Sequence, residues 1–222
     1  MEEIAKLIDH TTLGSDVDVK KVEKLCEEAR QYGFKSVFVQ PCRAELAVGV
    51  MRGTGIHVGT VSGFPFGANN TRIKVDEAAL AVTQGVDELD MVINVGWIKD
   101  GRWKAVETDI SEVVNACRAA GSGREIVVKV IIETCLLTDD EKHRAATVVR
   151  EAGADFVKTS TGYMAAGANV EDVALLRAVV GPDFGVKASG GIRTLEQMKA
   201  LIEAGANRIG TSAGVAIMHE YA

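Results

Sequence analysis

Lys129, Lys158 and Lys187 are separated by 29 and then 29 residues, each inside a β-rich run: "IVVKVIIE", "DFVKTSTG" and "FGVKASGG". A lysine in such a run is costly, because an ammonium is almost never fully buried without a partner. One lysine alone would be read as snorkelling past a strand end or paired with a carboxylate such as Glu133. Three at a spacing of about one βα unit read instead as like heights on successive strands, facing one barrel interior. Crowding has a chemical consequence. Two unit charges about 5 Å apart at an effective dielectric near 20 repel by roughly 3 kcal/mol. That moves one lysine from about 10.4 to about 8, and desolvation moves it further. An amine neutral near pH 7 attacks carbonyls and forms a Schiff base. Asp90 is the fourth odd residue, in "LDMVINVG", which is apolar except for Asp90 and Asn94. It is either an ion partner of a lysine or a proton shuttle. The roles agree if it holds Lys187 charged while Lys158 stays neutral.

Positioning these residues needs strands. Four segments share one shape: "CEEARQYGFKSVFVQ", "ALAVTQGVDELDMVIN", "VVREAGADFVKTS" and "ALIEAGANRIGTS". Each is a helix-like stretch closing on a glycine (Gly33, Gly85, Gly153, Gly205) where a left-handed C-cap is needed, followed by a β-rich run. Repeated helix-to-strand units imply right-handed crossovers and a parallel sheet. Strands are expected at Leu7–Thr12, Ser36–Gln40, His57–Phe64, Glu88–Asn94, Ile126–Glu133, Asp155–Thr161, Phe184–Gly190 and Asn207–Ser212. Thr138 with Glu141, and Thr194 with Gln197, fit capping boxes at helix starts. Eight alternating units without a composition break predict one α/β domain over residues 1–222, a (β/α)8 TIM barrel. An open doubly wound sheet would want GxGxxG after its first strand, and none is there.

In such barrels the loops after strands seven and eight commonly hold a phosphate. Here they read "SGGIRT" and "GTSAG", so Gly190 and Gly191 allow close backbone approach, and Thr211 and Ser212 offer hydroxyls. "SGFPFGANN" after the third strand reads equally well as a site edge or an ordinary loop. His10, His57, His143 and His219 form no HxH or HExxH pair, so no metal is expected, and His143 reads as a solvated helix residue. There is no GxSxG elbow. Cys42 reads as a buried structural thiol.

Of 222 residues 47% are hydrophobic, enough for a sizeable core without disulfides, and the four cysteines include no CxxC. The net charge of −6 argues against nucleic acid, whose readers carry clustered basic patches. No run approaches the roughly 20 apolar residues of a membrane span, and "MEEIAKLIDH" is acidic where a signal peptide is basic. A cytoplasmic location is expected.

Taken together, "IDHTTL", "LDMVINVG", "VVKVIIET", "DFVKTSTG" and "VKASGGIR" closely resemble the 2-deoxyribose-5-phosphate aldolases, a family of class I aldolases, and the match runs from "IDHTTL" to "GTSAGV". The resemblance implies reversible cleavage of 2-deoxy-D-ribose 5-phosphate to D-glyceraldehyde 3-phosphate and acetaldehyde, in deoxynucleoside catabolism. It implies no metal, no organic cofactor, and a homo-oligomer, dimer or tetramer. Carried over by motif, Lys158 is the Schiff-base lysine, and Lys187 and Asp90 are the proton-transfer pair. Asp9 and Thr11 lie near the sugar hydroxyls, and Gly162, Gly190, Gly191 and Ser212 face the phosphate. Thr161, Thr211 and Lys129 complete the candidate binding set. Some members carry lysine after "TSTG", where this chain has Tyr163. Another Schiff-base phosphosugar aldolase, a transaldolase-like enzyme, would differ in substrate and acceptor. A non-catalytic sugar-phosphate sensor would have no need of a depressed lysine pKa.

Overall fold

Eight strands, each followed by a helix, close into a parallel barrel in chain order, and the first strand pairs with the last. The computed structural model describes residues 2–221; residues 1 and 222, which the one-domain expectation also takes in, lie outside the described residues. The strands are β1 Ile8–Thr12, β2 Ser36–Val39, β3 His57–Ser62, β4 Glu88–Val92, β5 Val127–Ile131, β6 Phe156–Lys158, β7 Gly185–Ser189 and β8 Arg208–Thr211. All eight expected strands are present. Most end one to three residues early, because their last residues turn outward into the loops that shape the site. Two short helices, Glu2–Ala5 and Val95–Lys99, carry no signal in the sequence pattern.

Local chemistry explains the helix ends. Thr138 and Thr194 cap the helices Asp139–Glu151 and Leu195–Glu203 with complete capping boxes through Glu141 and Gln197. Gly33 closes Val19–Tyr32 in the left-handed conformation at φ 69°. Gly85, Gly153 and Gly205 stand one residue past the helix caps Gln84, Ala152 and Ala204, also at positive φ.

The barrel has two different faces. Outward residues such as Val37, Leu89, Met91, Val128, Val130, Val157, Val186 and Ile209 join one buried apolar cluster with the helices. The interior carries charge: Asp9, Glu88, Asp90, Lys129, Lys158, Lys187 and Arg208 are all buried. Two phenylalanines, Phe38 and Phe156, pack against the cations among them. Phe38 fits because β3 has Gly59 opposite it; a Cβ there would lie 2.2 Å from Phe38 Cζ. Phe156 is matched in the same way by Gly185.

The four cysteines are free, and the expectation for Cys42 is corrected: it is exposed. It sits on the turn Pro41–Arg43 after β2, where Ala44 and Ala47 of the next helix are buried and Cys42 is left to solvent. Burial pushes the Cys26 and Cys117 thiols up, to about 11 and about 12. His143 is exposed on its helix, as expected. Among the described residues no helix is long and apolar enough to cross a membrane.

Candidate active site

The interior charges meet at Asp90. Its Oδ2 accepts hydrogen bonds from Lys158 Nζ at 2.8 Å and Lys187 Nζ at 2.7 Å, and its Oδ1 accepts from Lys129 Nζ at 3.0 Å. The three lysines do converge, yet at different heights. Lys158 pairs in register with Lys187, whereas Lys129 lies level with Asp90 and Phe156, and Ile131 is the β5 neighbour of Lys158. Lys129 is therefore two residues deeper than the equal spacing implied, because a constant repeat length says nothing about the stagger between strands in a tilted barrel.

Each of the other interior cations is shared between carboxylates. Lys129 Nζ also donates to Glu88 Oε2 at 2.5 Å, and Lys187 Nζ lies 2.6 Å from Asp9 Oδ2. Arg208 Nη1 donates to Asp9 Oδ1 at 2.8 Å and Glu88 Oε2 at 2.9 Å, and Ser36 Oγ donates to Asp9 Oδ1. Phe38 lies beneath Lys187, whose Nζ is 3.9 Å from the ring centre.

These contacts set the ionisation. For Asp90 burial alone would push the carboxyl up, but Lys129, Lys158 and Lys187 outweigh it and hold the group ionised. Glu88 and Asp9 are likewise held down, each against its own burial, by the cations around it. Lys129 is raised: its burial is outweighed by Asp90, Glu88 and Asp9. Lys158 goes the other way, down to about 8. The cause differs from the crowding first inferred. Burial is the largest influence, Asp90 opposes it, and repulsion by Lys187 and Lys129 ranks behind.

Above this network a cavity of about 380 Å³ opens at the strand C-terminal ends, and Lys158 is the interior lysine that lines it. Of the expected binding residues, Thr11, Thr161, Gly162, Gly190, Gly191, Thr211 and Ser212 also line it. Asp9 and Lys129 do not: both are fully buried beneath, where their hydrogen-bonding groups serve the ion network. Asp90 and Lys187 likewise touch the cavity through Lys158. The Thr211 hydroxyl is already engaged, donating to Ile192 O at 2.7 Å and accepting from Ala213 N at 2.9 Å. Ser212 is exposed ahead of the helix Gly214–Tyr221. Gly190, at φ 90°, brings its backbone against the neighbouring turns: a Cβ there would sit 3.0 Å from Gly167 Cα and 3.3 Å from Gly162 Cα.

Residues outside the expected binding set also build the site. Glu133, in a left-handed conformation at φ 57°, accepts hydrogen bonds from Thr161 N and Thr161 Oγ1, and so braces the loop after β6. Burial raises its carboxyl above the ordinary value. It is not the lysine partner that the sequence suggests; the lysines use Glu88, Asp90 and Asp9 instead. Glu88 and Arg208 gave one signal, two-residue alternation with Asp90 and with Gly210. Ser189 and Arg193 line the cavity too. Tyr163 forms part of its rim, donating from Oη to Leu13 O at 2.8 Å and packing edge-on against Phe64 at 5.3 Å. Through Phe64 the loop after β3 supports that rim. Gly63 N of the same loop donates to Glu77 Oε2, and the buried Lys74–Asp109 pair, 2.6 Å, lies beneath it.

The model of the DeoC/LacD aldolase family matches residues 3–220. The chain is 55% identical to the deoxyribose-phosphate aldolase of Caldanaerobacter subterraneus subsp. tengcongensis over 218 residues, 98% of this chain and 93% of that one. It is also 55% identical to that of Thermococcus gammatolerans, covering 97% and 95%. Among solved structures, the tetrameric deoxyribose phosphate aldolase of Aeropyrum pernix superposes with a TM-score of 0.91 at 33% identity, over 98% of this chain and 90% of the other.

Proposed function

Because the chain belongs to the DeoC/LacD family of aldolases, it is a carbon–carbon lyase, and we propose that it cleaves 2-deoxy-D-ribose 5-phosphate reversibly to D-glyceraldehyde 3-phosphate and acetaldehyde through a Schiff base on Lys158. Neutral Lys158 Nζ attacks the aldehyde carbon C1 of the open-chain sugar, and the carbinolamine loses water to give an iminium. Removal of the proton from the C3 hydroxyl then breaks the C2–C3 bond. The electron pair flows into the iminium as an enamine, and C3 leaves as the aldehyde of glyceraldehyde 3-phosphate. Protonation of C2 and hydrolysis release acetaldehyde and restore the amine. Asp90, ionised and bonded to both amines, and the Lys187 ammonium move these protons, each transfer contributing roughly 10² to 10⁴ in rate. Gly162, Gly190, Gly191 and Ser212, with Arg193 beside them, are assigned to the phosphate, and Thr11 and Thr161 to the sugar. Asp9 and Lys129 support the reacting groups from below.

One observation carries the reading: Lys158 is the member of the buried charge network that reaches the cavity, and its amine is held down to about 8. The test is borohydride reduction in the presence of acetaldehyde, followed by peptide mapping, beside a cleavage assay of the wild type and Lys158→Ala. The adduct is expected on Lys158, and an adduct confined to another lysine overturns the assignment.

The same reading places the protein in deoxynucleoside catabolism in the cytoplasm, where free thiols stay reduced. It also makes it a homo-oligomer; the description of the Aeropyrum pernix relative as tetrameric supports this.

A further inference from the structure

Lys158 stands at the top of a ladder of charges that continues to the opposite end of the barrel. Glu88 and Arg208 are the first residues of β4 and β8, both are buried, and neither lines the cavity. Arg208 bridges Glu88 and Asp9; Lys129 bridges Glu88 and Asp90; Asp90 binds Lys158 and Lys187. No apolar gap interrupts this path. The carboxylates Asp9, Glu88 and Asp90 are matched one for one by Lys129, Lys187 and Arg208. Lys158 is the cation left over, and a buried net charge costs far more than a balanced set.

We propose that Glu88 and Arg208 are positioning residues for the aldol chemistry, a remote pair that acts through Lys129 and Asp90 to fix the charge balance against which Lys158 loses its proton. The proposal rests on the Schiff-base reading of Lys158. Without the Glu88 charge the interior is one positive charge in excess before Lys158 ionises, so the amine stays neutral to lower pH. Without Arg208 the interior is one negative charge in excess, which a Lys158 ammonium cancels, so the amine becomes neutral only at higher pH. The groups facing Lys158 are Asp90 from β4, Lys129 from β5, Lys187 from β7 and Glu133 from the loop after β5. Below them lie Asp9, Glu88 and Arg208, with His57 of β3 bonded to Glu88 Oε1 at 2.8 Å from a partly exposed position. A unit charge about 10 Å away at an effective dielectric near 20 moves such an equilibrium by about one pH unit.

The experiment follows the initial rate of acetaldehyde-dependent borohydride labelling of Lys158 against pH in the wild type, Glu88→Gln, Arg208→Gln, Arg208→Lys and the Glu88→Gln/Arg208→Gln double variant. The midpoint is expected to fall by about one unit in Glu88→Gln and to rise by about one unit in Arg208→Gln. At pH 7 this reads as labelling about fivefold faster in the first and about tenfold slower in the second. Arg208→Lys and the double variant, which keep the balance, hold the wild-type midpoint. Where Glu88→Gln does not fold, Arg208→Gln decides, with its opposite sign. Midpoints that stay fixed, or that move in the same direction in both single variants, overturn the proposal. A wild type that takes no label on Lys158 sinks the Schiff-base reading instead.

Discussion

Lys158 and Lys187 are register neighbours on β6 and β7, and their amines donate to the same oxygen, Asp90 Oδ2, at 2.8 and 2.7 Å. One carboxylate thus holds two amines at the reacting end. It favours the charged form of Lys158 while burial opposes that form more strongly.

Asp90→Asn removes the shared anion and leaves its lysines facing a neutral amide. Breaking a buried ion pair from one side costs about 3–5 kcal/mol, and the proton transfers lose about 10²- to 10⁴-fold in kcat. The Lys158 amine, freed of the group that favours its protonation, is expected to label with borohydride at lower pH than in the wild type. Chemical denaturation, steady-state kinetics and labelling against pH check the three parts. Turnover within tenfold of the wild type would refute the role given to Asp90.

In the wild type, kcat/KM is expected to rise as pH increases towards about 8, the value to which burial brings Lys158, because only the neutral amine attacks. A flat profile between about pH 6 and pH 9 is incompatible with this.

The same amine lowers stability. Its folded pKa of about 8 lies below the ordinary 10.5, so below pH 8 the native state carries the full cost of a charge it disfavours. Between those two values the unfolded chain binds more protons, and native stability climbs with pH through that window. Lys158→Met is therefore expected to be inactive yet more stable at pH 7 by about 1–3 kcal/mol. The gain should shrink as pH rises beyond 8. Urea midpoints at several pH values decide it; a variant no more stable than the wild type at pH 7 counts against a penalised amine.

The strand count, the helix caps and the lysine cluster around Asp90 were legible because each is a local signal. A glycine closes a helix, a box caps one, and a lysine interrupts an apolar run. Lys129 shows what was not legible. Its depth relative to Lys158 depends on the stagger of β5 against β6, which leaves no mark on spacing along the chain. Glu88 and Arg208 were missed because a charge at a strand start usually reads as a solvent-facing edge. Cys42 was misplaced because two small residues, Ala44 and Ala47, take the buried side of its turn and helix.

Gly59→Ala places a methyl group 2.2 Å from Phe38 Cζ, and Phe38 has Lys187 over its face. Overpacking of this kind costs about 2–3 kcal/mol, a fall in Tm of about 5–10 °C for a chain of this size. Phe38→Leu in the same chain is expected to restore part of it. Differential scanning calorimetry of the single and double variants gives the answer, and an unchanged Tm in Gly59→Ala would contradict the packing described.

Tyr163→Phe removes the bond from Oη to Leu13 O and keeps the edge contact with Phe64. Loss of one partly exposed hydrogen bond is worth about 0.5–1.5 kcal/mol, so KM for the phosphosugar is expected to rise about two- to tenfold with kcat little changed. A fall in kcat without a change in KM would mean that Tyr163 acts in the chemistry rather than on the rim.

The ionic plug inside the barrel has a thermal consequence. The hydration free energy of ions becomes less favourable on heating, so the handicap of keeping seven charged side chains out of water shrinks as temperature rises, while the gain from aliphatic burial levels off. A barrel filled with valine and leucine would have no such reserve. With this interior the centre of the molecule loses less of its stability on heating than an aliphatic interior of the same size would.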